Sequence, residues 1–371
     1  MSTRTPGRRD DARGMTAAAA GAIPTGSLEL VASPHLKAPD STPRIMWTVV
    51  ATLVPVVAWA IWNFGPSAAL VIGAATLGAV GTERVLTRSP DPVRDGSAAI
   101  TGLLLGLTLP ASLPIWMAFF GGAVSIGLGK WIFGGLGQNV FNPALLGRAF
   151  LQAAFPAALT TWPLHTGATL PDGGTMAWGA LRGPNFALPL MGGRVDAVTG
   201  ATPLGLSKFE GVTTPVGDMF MGTIGGSIGE TSAVLILLGG AWLAYRGYLD
   251  WRIPVSVLLT VAILSSALHA LWPDTLPGAP FMLASGGLML GAVYMATDMV
   301  TSPVTPRGAW IYGAGIGALV VIIRAWSGLP EGVMYAILLM NAMVPFIDRA
   351  TQPRVFGTGR TAERPAVEGG A

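Results

Sequence analysis

What most constrains this chain is the number of long apolar stretches it must either bury or place in lipid. Ile45–Trp62, Ser67–Gly81, Thr231–Tyr245, Ile253–Leu271, Phe281–Ala296, Ala309–Ile323 and Gly332–Ile347 are each long enough, or nearly so, to cross a hydrocarbon layer of about 30 Å. A large soluble α-protein buries a few such helices, not this many. Composition agrees: hydrophobic residues reach 51% and charged residues only 11%, against roughly 25% charged in soluble domains, and the mean hydropathy is +0.57. The 51 Gly and 29 Pro suit a membrane bundle, where small residues allow close helix contact and interrupted helices are tolerated.

Three weaker stretches, Ala98–Leu109, Leu113–Phe133 and Phe141–Phe155, bring the expected spans to about ten. Gly-rich segments within or beside two of them mark places where a span can be broken. The fold class expected is therefore an all-α polytopic membrane protein. Residues 1–44 carry charge, Ala and Pro without an apolar core of the signal-peptide kind, and read as a cytoplasmic tail. A first membrane region covers 45–157, an external loop 158–229, a second membrane region 230–347 and a cytoplasmic C-terminal tail 348–371. With both termini inside, most of the 22 Lys and Arg fall on the cytoplasmic side. Only Arg182, Arg194 and Lys208 lie opposite, all in the long loop, with Arg148 and Arg324 in or near spans. That asymmetry is the positive-inside pattern, so the net charge of +3 reflects topology and not nucleic-acid binding. Weak internal similarity, Gly102-Leu103-Leu104-Leu105-Gly106 with Gly287-Leu288-Met289-Leu290-Gly291, and Asn142 with Asn341, suggests two five-helix repeats. Five being odd, the repeats are inverted, and such pairs enclose a site near the midplane.

Within the long loop lies Asp196-Ala197-Val198-Thr199-Gly200-Ala201-Thr202. The string resembles the acceptor site of flavin transferases that join the FMN phosphate to the last hydroxyl, here Thr202. The residue types fit that chemistry. A small nucleophilic hydroxyl must reach a bound FAD, Gly200 and Ala201 add little bulk, and Asp196 and Thr199 can brace the backbone through short side-chain hydrogen bonds. Thr166-Gly167-Ala168-Thr169 repeats the tetrapeptide without an Asp three positions before it, and reads as an ordinary turn. The expected topology puts Thr202 on the outer side, within reach of an extracytoplasmic transferase.

Polar residues inside apolar segments form a second group. Gln138, Asn139 and Asn142 precede and enter the fifth span, Thr297 and Asp298 close the eighth, and Asn341 lies deep in the tenth. Such groups are costly in lipid and face the bundle interior. There they can hydrogen-bond a flavin ring, line an ion path, or simply pair helices, a contribution of about 0.6 kcal/mol on average. Glu83 and Glu230 read as topology or capping residues, Glu230 suiting a helix N-terminus. His35, His165 and His269 share no ligand spacing, so no metal site is expected. Without cysteine, neither disulfides nor thiolate-held iron–sulfur clusters are available. No nucleotide-binding loop appears, and no residue is expected to be catalytic alone.

Ser33-Pro34-His35, the string Asp196 to Thr202 with Pro203-Leu204, Gly226-Ser227-Ile228-Gly229-Glu230-Thr231-Ser232, Met295-Ala296-Thr297-Asp298, Thr301-Ser302-Pro303 and Glu331-Gly332-Val333 through Asn341 together resemble the D subunit of the Rnf ion-translocating electron-transport complex. Its relative is the B subunit of the sodium-pumping NADH:quinone reductase. The resemblance covers about residues 31–350. It implies a fold similar to urea-transporter-like inverted repeats, covalent FMN on Thr202, and riboflavin within the bundle beside Asn139 and Asn142. It also implies a bacterial inner-membrane location, other Rnf subunits as partners, and a flavin transferase for maturation. Where the family reads Ala-Thr-Asp-Pro-Val, Met299 stands in place of the proline, leaving the turn after Asp298 less rigid. Thr301-Ser302-Pro303 and the short N-terminal region favour the Rnf subunit over the quinone reductase.

The expected function is a flavin-carrying subunit of an ion-translocating oxidoreductase. It would pass electrons between ferredoxin- or NADH-linked centres while the complex moves Na⁺ or H⁺, with Asp298, Thr297 and Asn341 as ion-path candidates. The quinone reductase subunit is the alternative. A redox-free solute channel of the same fold, or a scaffold with an unmodified Thr202, are the competing classes.

Overall fold

The computed structural model describes residues 40–87, 94–170, 173–189, 200–273 and 275–353. Apolar runs of helical length have become helices, in the order expected. The first group is α1 (Thr42–Phe64), α2 (Pro66–Leu86), α3 (Ser97–Thr108), α4 (Ile115–Ile126) and α5 (Pro143–Ala154). Short helices α6 (Pro156–Leu159), α7 (Pro203–Gly205) and α8 (Val216–Met221) lie in the long loop region. A 3₁₀ turn (Ile228–Thr231) then leads into α9 (Ala233–Tyr245), α10 (Arg252–Leu271), α11 (Ala279–Ala284), α12 (Leu288–Leu290), α13 (Pro306–Trp326) and α14 (Val333–Thr351). Among the described residues the only β feature is an isolated bridge between Thr169 and Thr175.

Five of these helices, α1, α2, α10, α13 and α14, are long and apolar enough to cross a membrane. The others are shorter or interrupted. The expected fourth span ends its α-helix at Ile126 and continues through a π turn, Gly127–Trp131. The stretch Phe281–Ala296, expected as one span, is broken. Helix α11 stops at Ala284, Gly286 takes φ 66, and the chain restarts as α12 running into a second π turn, Gly291–Met295. Apolarity set the position of this segment but not its continuity, and the Gly286-Gly287 pair admits a left-handed residue that other side chains resist.

Packing is close where glycines line a crossing. Helix α2 packs on α4, and α10 on α13; a Cβ placed on Gly78 would sit 2.0 Å from the Phe119 carbonyl oxygen, and one on Gly122 2.1 Å from that of Ala75. Backbones therefore meet directly, the usual helix contact in lipid. Large apolar side chains point outward, among them Trp62, Leu77, Leu238, Tyr245, Ile263 and Phe346. Glu83, Lys130, Arg148, Arg324 and Asn341 are buried. Apolar outside and charged inside is the inverse of a soluble domain, and is what a bilayer solvent selects.

The loop after α5 is stapled onto this bundle. Arg182 Nε donates to the Phe64 carbonyl (3.2 Å), its Nη2 to Thr166 Oγ1 (2.7 Å), and its backbone N–H to Ser67 Oγ (2.9 Å). Asn185 Nδ2 donates to the carbonyls of Ala111 (2.9 Å) and Leu113 (3.0 Å). Gly65, at the α1–α2 corner with φ 67, leaves room for the Trp178 carbonyl, which a Cβ would meet at 2.1 Å.

Candidate functional site

Thr202 opens α7. Its backbone is extended (φ −69°, ψ 155°), Pro203 follows with its φ suited to a first helical position, and Thr202 Oγ1 accepts the Gly205 N–H at 3.1 Å. The hydroxyl proton has no protein acceptor among the described residues, and Thr202 is half-buried. Gly200 is tied to an earlier part of the loop: its N–H donates to the Trp162 carbonyl at 3.0 Å, and a Cβ there would meet Leu164 Cδ2 at 2.8 Å. Gly200 thus serves close approach, and Ala201 is exposed. Asp196 and Thr199 lie outside the described residues.

Thr202 stands on the wall of a cavity of about 540 Å³, lined also by Arg148, Gln152, Trp162, Phe209, Glu331 and Tyr335. Ligand sites of drug and cofactor size span about 300–1,000 Å³. Aromatic and apolar walls with one guanidinium suit a planar, partly anionic ring. Close by, Lys208 caps the end of α13 by donating to the carbonyls of Ile323 (3.4 Å), Arg324 (2.8 Å) and Leu329 (3.0 Å). Burial pushes the Lys208 ammonium below its ordinary range.

The other tetrapeptide, Thr166 to Thr169, is used structurally. Thr166 Oγ1 donates to the Asn63 carbonyl at 2.7 Å and Thr169 forms the isolated bridge with Thr175. Beside it, burial first and Arg182 second push the His165 imidazole below its ordinary range.

A second cavity, of about 110 Å³, gathers Asn139, Asn142, Thr297 and Asp298, with Lys130, Tyr294 and Met299. Four of the interior candidates thus share one wall system, although they come from segments far apart in sequence. Asn142 caps α5: its Oδ1 accepts from Ala144 N–H (3.0 Å) and Leu145 N–H (3.3 Å), while its Nδ2 donates to the Met295 carbonyl (3.1 Å). Asp298 closes its own turn by accepting from Val300 N–H and Thr301 Oγ1, both at 3.3 Å. Thr297 Oγ1 bonds back to the Val293 carbonyl (2.5 Å). Asn341 does not line this cavity. It lies mid-helix in α14, whereas Asn142 begins its helix, so the two are not equivalent in position as their motifs suggested. They touch instead. With the Asn341 amide oriented to satisfy its neighbours, its oxygen accepts the Asn142 backbone N–H (3.0 Å) and its nitrogen donates to the Ile337 carbonyl (3.1 Å) and Tyr312 hydroxyl (2.5 Å).

Sequence reading missed the buried ion pairs. Glu83 is no surface cap: its carboxylate accepts from Lys130 Nζ, which also donates to Ser97 Oγ at 2.5 Å. Arg148 Nη2 lies 3.4 Å from Glu331 Oε2, and the other Glu331 oxygen accepts the Gly287 N–H at the α11–α12 break. Glu230 does sit ahead of α9, where it accepts from Ser227 Oγ (2.7 Å), but it is buried. The available signal was a charge within or beside an apolar segment; its partner could not be named without the fold.

A model of the NQR2, RnfD, RnfE family matches residues 29–357. The chain is 41% identical over 341 residues to the D subunit of the proton-translocating ferredoxin:NAD(+) oxidoreductase complex of Clostridium ljungdahlii, covering 88% of this chain and 96% of that protein. It is 43% identical over 334 residues to the D subunit of the ion-translocating oxidoreductase complex of Stutzerimonas stutzeri, covering 86% and 93%. With the D subunit of the Na(+)-translocating ferredoxin:NAD(+) oxidoreductase complex of Acetobacterium woodii it shares 40% over 339 residues, covering 89% and 96%. Membrane-length helices and these near full-length matches agree: the chain belongs to the NQR2, RnfD, RnfE family, among its Rnf complex D subunits.

Proposed function

We propose that this chain is the flavin-carrying membrane subunit of an ion-translocating ferredoxin- or NADH-linked oxidoreductase complex, with FMN joined through its phosphate to Thr202. One observation carries the reading: a hydroxyl oxygen held by the Gly205 N–H, without an acceptor for its own proton among the described residues, stands at a cavity of about 540 Å³ with Trp162 and Tyr335 in its walls. A flavin supplies the ability to take one or two electrons and so to link single-electron centres with pair-transfer carriers. The chain's part is to orient the ring, exclude water and set the local charge. Asn139 and Asn142 mark the place proposed for a second, non-covalent flavin, riboflavin. The inner cavity of about 110 Å³ would have to widen to admit it, and the Asn142 amide, engaged by Ala144, Leu145 and Met295, would have to exchange partners. Asp298, Thr297 and Asn341 are the candidates for the ion path. The relatives named for proton and for sodium translocation are about equally similar to this chain, so either ion fits.

The proposed arrangement is two inverted five-helix halves in a bacterial inner membrane, with both termini cytoplasmic and the Thr202 loop outside. Support comes from matching packing pairs, α2 with α4 and α10 with α13, then α4 with α5 and α13 with α14. A flavin transferase is the required maturation partner.

The test is denaturing electrophoresis of the chain co-expressed with a flavin transferase. Its band should fluoresce under ultraviolet light. Thr202→Val should abolish the signal and Thr169→Val should keep it; fluorescence in the Thr202 variant refutes the attachment.

A further inference from the structure

Two acids and two arginines, drawn from four separate segments, meet between the outer cavity and the α11–α12 break. Glu230 comes from the 3₁₀ turn before α9, Arg148 from α5, Arg324 from the end of α13, and Glu331 from the segment before α14; three of them are buried and Glu331 is nearly so. Arg324 donates from both terminal nitrogens to the carbonyls of Met282 (2.6 Å) and Ser285 (2.9 Å), at the C-terminal end of α11, and of its guanidinium nitrogens only Nε lacks a partner among the described residues. Glu331 Oε1 takes the Gly287 N–H, and Glu230 Oε1 takes the Ser227 hydroxyl. A Cβ on Gly286 would meet Leu204, two residues after Thr202, at 2.8 Å, Arg324 Nη2 at 3.0 Å and Glu331 Oε1 at 3.1 Å. The cluster therefore abuts the very turn that presents Thr202.

Arg148 is the odd member. Among the described residues its side chain makes a single long contact of 3.4 Å with Glu331 Oε2, its Nε has no partner, and it lines the same cavity as Thr202. A guanidinium nine-tenths buried with donors left over is a costly arrangement unless an anion uses them.

We propose that Arg148 is the positioning cation of the outer cavity, facing the flavin carried on Thr202, and that Glu331 sets how much of its charge the flavin feels. This rests on the reading of Thr202 as the flavin acceptor. A positive charge against the ring favours the negative charge that arrives on reduction, so Arg148 raises the midpoint potential, whereas Glu331 beside it lowers the potential. The two residues act with opposite sign.

Potentiometric titration of the purified complex tests this, with the relevant flavin assigned as the component missing from the Thr202→Val complex. Arg148→Met should shift that potential to more negative values, Arg148→Lys should restore most of it, and Glu331→Gln should shift it to more positive values, all with in-gel fluorescence retained. If Arg148→Met prevents assembly, the positive shift in Glu331→Gln still decides the matter. An unchanged potential in the Arg148 variants or in Glu331→Gln, or shifts of the same sign from both residues, overturns the proposal. Absence of fluorescence from the parent band would instead remove the Thr202 reading beneath it.

Discussion

Replacing Asn142 with Leu should remove two separate contributions at once. Its Oδ1 caps α5 through the N–H groups of Ala144 and Leu145, and losing such a cap costs about 1 kcal/mol, within a range of roughly 0.5–2. Its Nδ2 is the partner of the Met295 carbonyl at the end of the second π turn. Leaving a buried carbonyl unsatisfied costs about 1–3 kcal/mol. Together these predict a loss of about 2–4 kcal/mol, well above the roughly 0.6 kcal/mol typical of an interhelical hydrogen bond in lipid. Asn142→Ser separates the two, since serine also caps well but cannot reach Met295; it should lose only the second contribution. The assay is thermal unfolding in detergent, followed by tryptophan fluorescence, together with flavin released by acid extraction. Asn142→Leu should also lose extractable flavin while keeping fluorescence at Thr202. Equal, sub-kilocalorie losses in both variants would refute the cap-plus-carbonyl reasoning. Unchanged extractable flavin would remove Asn142 from the second flavin site.

Gly78→Ala and Gly122→Ala should each destabilise by about 1–3 kcal/mol, because the added methyl meets a facing carbonyl near 2 Å. At Gly73 and Gly81, also on α2, an added methyl meets open space, so Gly73→Ala and Gly81→Ala should be neutral or stabilising; equal behaviour of all four in a melting series would contradict the packing. His165 is held neutral in the folded loop, its imidazole below the ordinary range of about 6.5. A released loop therefore binds a proton that the folded loop does not, and acidification through that range should loosen it. Limited proteolysis of the loop should accelerate from pH 7.5 to pH 5.5 in the parent and not in His165→Asn; the same acceleration in both would exclude His165 as the cause. For topology, a cysteine at Gly173 should react with an impermeant thiol reagent on whole cells and one at Gly357 should not. Reversed labelling would invert the proposed orientation.

The helices were legible because apolar length is a local property. Every expected stretch contains helix, and α1, α2, α10, α13 and α14 also have spanning length. Continuity was less legible: nothing in the apolarity of Phe281–Ala296 betrays the stop at Ala284, which depends on Arg324 and Glu331 serving the freed backbone groups. The acceptor string around Thr202 was readable as a string, yet its cavity was not, since Arg148, Trp162 and Tyr335 reach it from separate segments. Interior asparagines were recognisable by their cost in lipid, but their partners were not. Glu83 meets Lys130 47 positions away and Arg148 meets Glu331 183 away; such distances are bridged by packing, not by any periodicity in the chain.

The two π turns of the bundle have a consequence for how this sequence tolerates length changes. At Gly127–Trp131 and Gly291–Met295 the closing bond runs five residues back, Ile132 to Gly127 and Ala296 to Gly291, so each turn holds an extra residue relative to an α-helix. An α-helix advances about 100° per residue. The wide turn absorbs that residue, so the backbone on either side keeps the phase of an ordinary helix, whereas the same insertion left in α-helical form would rotate everything beyond it by about 100°. Lys130, within the first turn, and Tyr294, within the second, are carried on the widened backbone and reach the wall of the inner cavity from it. Deleting one residue from either turn would let it close to ordinary helix with the flanking phase kept, so the change should be felt at these two side chains and not along the rest of the bundle.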